Sequence, residues 1–394
     1  MKKSLSKSNK IEELLNRGVE EIIDRPNLEN KLKSGKQLRI KFGIDPTSPN
    51  IHLGRSIPLL KLRDFQELGH KIILIIGDFT GLIGDTSDKD SERPMLSEET
   101  VRENLKTYIK QAAKIIDVDS AEIRHNSEWL GKLGYMDIGR QADVFSLNEF
   151  ISRENISRRL EDGKRVSLRE LLYPLMQGYD SVEVRADVEI GGTDQRFNLL
   201  TGRDVQRLYG QEPQDILTNP LIEGLDGRKM SSSFGNTVNL FDTPNDMFGK
   251  IMSLKDDLII KYFILLTRVE MKTINEYKTH LKDGANPRDI KMKLALEIVR
   301  MYHSKEDAND AQDYFVKTFT QKEIPLDMPQ FKPTAYNIVL ILVESKLVTS
   351  KSEARRILDH GGVKIDSKVV KEINYVVPSG SVLQKGKINF LKIL

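Results

Sequence analysis

Two short segments, 177 residues apart, carry the side chains best suited to handling phosphate: His52-Leu53-Gly54-Arg55 and Lys229-Met230-Ser231-Ser232-Ser233. Just upstream of the first stands Gly43-Ile44-Asp45-Pro46-Thr47. Gly43 lets backbone approach a ligand closely. Thr47 and His52 offer neutral donors to phosphate oxygens, and Gly54 opens a helical stretch whose N-terminus favours anions. Asp226-Gly227-Arg228 leads into the second segment. A glycine-containing loop with a lysine and three hydroxyls can grip a polyphosphate while remaining mobile. Between them lies Gly191-Gly192-Thr193-Asp194-Gln195. Each fragment alone is what a polar turn also looks like; the ordered trio is far more specific than any member.

The elements around these residues read as a parallel α/β sheet. Ile11–Ile23 has helical spacing and predicts a leading helix. Leu38–Phe42 alternates like a strand, Gly54–Leu68 reads as a helix ended by Gly69, and Lys71–Ile76 is a buried strand ended at Gly77-Asp78. That is one βαβ period. A matching half follows, with a strand at Ala186–Ile190, the glycine cluster and a helix over Gln195–Tyr209. The expected fold class is α/β, a doubly wound, Rossmann-like parallel sheet whose ligands sit where strand carboxyl ends meet loops. The expected division is an N-terminal helical lead (1–35), a catalytic domain with a connective insertion (36–235), a helical domain (236–320), a linker carrying Pro325, Pro329 and Pro333 (321–334), and a small α+β domain (335–394).

Composition narrows the chemistry. The 394 residues include no Cys and one Trp, so a disulfide framework, a cysteine zinc site and a thiolate nucleophile are excluded. The longest apolar runs, Ile72–Ile76 and Ile338–Val343, are too short to span a bilayer, and the basic N-terminus lacks the apolar stretch of a secretory signal. A cytoplasmic protein is expected. Residues 331–394 hold eleven Lys/Arg against five Asp/Glu, while the chain as a whole carries only +3. A basic tail on a slightly acidic body suggests a polyanion bound at one end.

His52–Arg55 resembles the HIGH motif of class I aminoacyl-tRNA synthetases, and Lys229–Ser233 resembles their KMSKS loop. Tyr173-Pro174-Leu175-Met176-Gln177-Gly178-Tyr179-Asp180, Gly191–Gln195, and Gly77–Asp85 with Lys89 and Arg93 after it resemble the tyrosine-specific branch. The likeness runs from about residue 38 to the end. It implies two-step chemistry, in which tyrosine and ATP form an adenylate and the tyrosyl group then passes to tRNA. It also implies ATP with Mg²⁺ as substrate, no protein-ligated metal, a homodimer, and an anticodon role for the helical domain. By residue match, Thr47, His52 and Arg55 would meet phosphate, with Lys89, Arg93, Lys229 and Ser232 around the leaving pyrophosphate. Gly43, Asp45, Pro46, Gly54, Gly192, Asp194, Met230 and Ser231 would frame the nucleotide. Asp85, Tyr173 and Gln177, with Thr80 and Gln195, would hold the tyrosine ammonium end, and Asp180 would accept from the phenol.

The tail resembles the RNA-binding domain of ribosomal small-subunit protein four. Ser350 or Ser352 could cap a helix bearing Arg355 and Arg356, and a hairpin would carry Lys364 and Lys368, all four toward RNA phosphates. Three positions depart from the family pattern. Arg55 replaces the last His of HIGH, Ser232 replaces the second Lys of KMSKS, and Lys41 stands where one branch has a phenol-contacting Tyr. Lys41 could reach Asp180 or the phenol, or point away. A tryptophanyl-type synthetase or a non-catalytic RNA-binding paralogue are the competing readings.

Overall fold

A computed structural model describes residues 6–87, 91, 95–320, 328–386 and 389–394. The chain forms two compact units that divide between Ser304 and Lys305.

The first unit is built on a six-stranded sheet: β1 (Glu21–Ile23), β2 (Arg39–Ile44), β3 (Lys71–Ile76), β4 (Glu122–His125), β5 (Val188–Gly192) and β6 (Asp215–Asn219), in the order β1-β6-β5-β2-β3-β4. All neighbours are parallel except β1 with β6. Ile72–Ile76 of β3 is buried throughout, as expected of a strand covered on both faces. From β2 the chain moves outward to β3 and β4, and from β5 it moves the other way to β6. The carboxyl ends of β2 and β5 therefore form the switch point where such sheets open a crevice.

The leading helix is shorter than its apolar spacing suggests. It spans Lys7–Asn16, Gly18 adopts φ +61°, and Glu21–Ile23 becomes the antiparallel edge strand β1. A left-handed backbone at Gly18 stops the helix, and sheet pairing then claims the last apolar residues. The N-terminal segment is thus part of the sheet rather than a separate lead. Arg17 ties it further. Its guanidinium donates to the carbonyls of Phe263, Ile264, Thr267 and Val269 at 2.8–3.1 Å, satisfying carbonyls at and just beyond the end of helix Ile259–Leu266.

The helical segment after residue 236 does not stand apart either. Helices Pro244–Met252, Ile259–Leu266, Met271–Lys282 and Pro287–Tyr302 belong to the same unit as the sheet. Arg268 pairs with Asp64 at 2.8 Å and Tyr302 OH donates to Ser56 at 3.1 Å, both on helix Leu53–Glu67.

The second unit carries a five-stranded sheet in the order β7-β11-β10-β8-β9, from β7 (Gln330–Phe331), β8 (Val363–Ile365), β9 (Lys368–Val369), β10 (Val382–Lys385) and β11 (Asn389–Ile393). Helices Ile338–Glu344 and Lys351–Asp359 bury Ile338, Ile341, Leu342, Ala354 and Leu358 with sheet residues Val363, Leu383 and Ile393. Ser350 is the cap of the second helix, accepting from Glu353 N at 3.2 Å. Asp366 and Ser367 both have positive φ, the two-residue turn that matches strand twist in a hairpin. The proline segment is only partly a linker. Residues 321–327, with Pro325, lie outside the described residues, and between Pro329 and Pro333 the chain adds β7 parallel to β11.

Candidate active site

A cleft opens over the carboxyl ends of β2 and β5, lined by residues from both sequence clusters and from helix Leu168–Glu183. Its inner end is built by that helix. Ser167 and Glu170 form a capping box at its start, and Arg159 grips Glu170 at 2.6 Å with both side chains buried. Tyr173, Gln177 and Asp180 then fall on one face at helical spacing, and all three line the cleft.

Asp180 is the deepest acceptor. Its Oδ1 accepts from Trp129 Nε1 at 2.8 Å and its Oδ2 from Asn126 Nδ2 at 3.3 Å. Burial pushes this carboxyl up to about 7, although Lys41, Trp129 and Asn126 all favour its ionised form. Asn126 also donates to Thr80 Oγ1 at 2.9 Å, and the Thr80 hydroxyl donates to Asp45 Oδ1 at 2.7 Å. Tyr173 OH donates to the other Asp45 oxygen at 2.8 Å. Burial raises Asp45 to about 6. Gly77 must be glycine beside this pair, because a Cβ there would stand 2.0 Å from Asp45 Oδ1. Asp85 accepts from Gln195 Nε2 at 2.7 Å and from the Ser87 hydroxyl at 2.6 Å.

The outer end holds the phosphate-type side chains. His52 caps helix Leu53–Glu67, its Nδ1 accepting from Arg55 N at 3.3 Å. The proton of the neutral ring is then on Nε2, free to donate. Burial, with Arg55 and Lys229 nearby, lowers His52 to about 3, so it is neutral at any working pH. Arg55 Nη2 donates to Thr47 Oγ1 and Nη1 to Tyr108 OH, each at 2.8 Å. Lys229 Nζ pairs with Asp194 Oδ2 at 2.8 Å. Met230 Sδ accepts from Gly54 N at 3.2 Å, and Ser232 Oγ lies 3.4 Å from Ser48 Oγ, so the two clusters meet across the cleft. Asn236 holds the loop together through Ser231 N, Asp226 and the Lys229 carbonyl.

Of the residues expected at the site, Gly43, Gly54, Gly192 and Ser231 also line the cleft, while Lys89 and Arg93 lie outside the described residues. Two expectations need correction. Pro46 does not line the cleft; it is buried, with its carbonyl accepting from Asn104 at 2.8 Å. Lys41 does not line the cleft and makes no hydrogen bond to Asp180, although its charge still favours that carboxylate's ionised form. It is fully buried and spends its ammonium on Glu189 (2.8 Å), Ser181 Oγ (2.7 Å) and the Gln177 carbonyl (2.8 Å). A buried cation takes the acceptors that satisfy it completely, and removing one partner of such a pair costs about 3–5 kcal/mol. Trp129, Asn126, Tyr108, Glu189 and Asn198 escaped the sequence reading; the chain's sole Trp was the one usable signal. In the second unit, Arg355, Arg356 and Lys368 are exposed and Lys364 is half-buried, on the alternation opposite buried Val363 and Ile365. Among the described residues, no group of three or more His, Asp or Glu converges as a metal site.

Two families match: tRNA synthetases class I (W and Y) over residues 33–320, and the S4 domain over residues 338–383. The chain is 47% identical over 385 residues to the tyrosine–tRNA ligase of Thermotoga maritima, covering 96% of each. It is 46% identical to that of Carboxydothermus hydrogenoformans, covering 97% of each. Among solved structures, the tyrosyl-tRNA synthetase of Archaeoglobus fulgidus complexed with L-tyrosine superposes with TM-score 0.63 at 24% identity, covering 78% of this chain and 100% of that one, a likeness of fold.

Proposed function

This chain belongs to the class I aminoacyl-tRNA synthetases as a tyrosine–tRNA ligase, and we propose that its cleft divides that enzyme's work between a tyrosine end around Asp180 and a phosphate end around Arg55. The enzyme activates L-tyrosine with ATP and transfers it to tRNA. In the first step the tyrosine carboxylate oxygen forms a bond to the α-phosphorus while the bond to pyrophosphate breaks. In the second, a terminal hydroxyl of tRNA takes the tyrosyl group and AMP leaves. Neither step needs a protein nucleophile, so positioning and placed charge carry the rate.

The observation that carries this division is the segregation of side chains. Buried Asp180 and half-buried Asp85 bond to Trp129, Asn126, Gln195 and Ser87, while Arg55 and Lys229 bond to Thr47, Tyr108 and Asp194, and both sets line the one cleft. Asp180, oriented by Trp129 and Asn126, accepts the phenol hydroxyl. Asp85, Gln177 and Gln195 hold the ammonium, supported by the Tyr173–Asp45–Thr80 chain. His52 donates from Nε2 to the triphosphate, and Arg55 presents a permanent cation. Asp194 accepts from ribose hydroxyls, and Lys229 moves to phosphate. Mg²⁺ enters on the nucleotide, held by phosphate oxygens and water. Lys89 and Arg93 add charge to the leaving pyrophosphate by family match alone. Arg355, Arg356, Lys364 and Lys368 meet tRNA phosphates, and the helices between the sheet and the tail face the anticodon. Tyr135, Met136 and Leu168 are large apolar side chains left exposed, and we assign the enzyme a homodimer. Among the described residues no helix is long and apolar enough to cross a membrane, and we assign the enzyme to the cytoplasm.

The test separates the two units. The full chain gives tyrosine-dependent ATP–pyrophosphate exchange and charges tRNA. Removal of residues 335–394 leaves exchange near the full-length rate and sharply impairs charging. No exchange with any amino acid in the full chain would return the RNA-binding alternative.

The raised carboxyl of Asp180 gives a pH signature. Because its folded value of about 7 exceeds the ordinary 3.8, this group destabilises the fold progressively as pH rises between those values and by a constant amount above them. In recognition, only the ionised form is purely an acceptor. The kcat/KM for tyrosine therefore falls below about pH 7, tending to about tenfold per pH unit. Asp45, at about 6, titrates next to it but serves either substrate. Phenylalanine measured alongside lacks the inflection near 7; its presence for both substrates would remove Asp180 from phenol recognition.

A further inference from the structure

Recognition of an ammonium by Gln177 depends on which end of its amide faces the substrate, since Oε1 accepts and Nε2 does not. The protein sets that orientation from behind. Glu189, 1% exposed, accepts Gln177 Nε2 at 3.2 Å through Oε1, and through Oε2 it accepts Ser181 Oγ at 3.1 Å and Gln214 Nε2. A carboxylate is acceptor-only, so Gln177 can turn only its nitrogen toward it. Lys41, 2.8 Å from Glu189 Oε1, supplies the cation that a buried carboxylate requires. On the opposite side, Asn198 Nδ2 donates to Gln177 Oε1 and to Gln195 Oε1, both at 3.1 Å. The nitrogen of Gln195 is drawn away to Asp85 at 2.7 Å and Ser87 Oγ at 2.8 Å. Glu189 thus takes the Gln177 nitrogen from outside the cleft lining, and buried Asn198, also outside it, fixes the amide oxygens of Gln177 and Gln195.

We propose that Lys41, Glu189 and Asn198 are positioning residues for tyrosine recognition: a buried Lys–Glu pair takes the Gln177 nitrogen and a bridging asparagine fixes its oxygen, so that the oxygen is the end left to accept from the substrate ammonium. None of the three touches substrate. The proposal rests on the assignment of Asp85 and Gln177 to the ammonium.

Glu189→Gln keeps the side-chain shape but can donate as well as accept, which releases the Gln177 amide. Equilibrium binding to the full chain is measured for tyrosine and for desamino-tyrosine, which lacks only the ammonium. Glu189→Gln is expected to weaken tyrosine about 10- to 100-fold, the scale of a hydrogen bond to a charged group, and to leave desamino-tyrosine unchanged. The double variant Lys41→Met/Glu189→Gln removes both buried charges and is expected to show the same selective loss. It stands in for Lys41→Met, which strands Glu189 and can fail to fold. Equal weakening of both ligands would reduce the three residues to support of the fold, and unchanged tyrosine binding would overturn the proposal. Asp85→Asn is the control. If it too treats the ligands alike, the ammonium assignment itself is wrong, independently of Glu189.

Discussion

Asp180→Ala abolishes most of the preference for tyrosine over phenylalanine. In the intact enzyme a phenylalanine ring would leave the buried Asp180 carboxylate without the hydroxyl it accepts. Rejection on the order of 10⁵ is the known figure for a tyrosyl-tRNA synthetase facing phenylalanine, and the size is borrowed from there. The alanine variant removes the acceptor, so the penalty on phenylalanine goes with it. Trp129 Nε1 loses its 2.8 Å acceptor as well, and the fold weakens by about 1–3 kcal/mol for that unpaired donor. The ratio of amino-acid-dependent exchange rates checks this. A preserved ratio in a folded variant would assign the phenol to another residue.

Arg55→Ala slows adenylate formation by about 10²-fold or more, the scale of losing one donor that acts in the transition state. The guanidinium is a permanent charge with a planar set of donors, able to meet phosphate oxygens in a geometry that imidazole cannot copy. It is also braced, between Thr47 Oγ1 and Tyr108 OH. Replacement therefore removes a cation and releases Thr47 in the same stroke. Tyrosine affinity changes little, because Arg55 lies at the phosphate end. Tyr108→Phe removes the brace alone and gives a smaller loss. Single-turnover adenylate formation is the measurement, and a wild-type rate in the alanine variant would show that the motif works without its fourth residue.

The βαβ core was legible because glycines at 69 and 77 punctuate it and Ile72–Ile76 is apolar throughout, although β2 runs through Gly43 to Ile44. The cleft was legible where a residue faces a ligand, since such residues sit in ordered motifs. It was not legible one step behind. Trp129 and Asn126 come from a helix-turn segment with no motif of its own, and their work is done on Asp180 rather than on a substrate. Lys41 was visible as a departure, but its direction depended on Glu189, about 150 residues away on the paired strand. Local spacing also misled at Ile22 and Ile23, where an edge of the sheet outweighed helical period, and between Pro329 and Pro333, where pairing to a later strand turned part of a linker into β7.

The edge strand at the N-terminus has a consequence for how the chain is made. Its partner β6 lies far along the sequence; the Thr218 to Glu21 contact closes a separation of 197 residues. At a synthesis rate of about 5–20 residues per second, the first strand leaves the ribosome roughly 10–40 s before its partner exists. Arg17 waits longer still, since the carbonyls it caps begin at Phe263. This early-made segment is therefore among the last of the first unit to be locked, and the sheet closes only once Asn219 of a unit that runs to Ser304 has been translated.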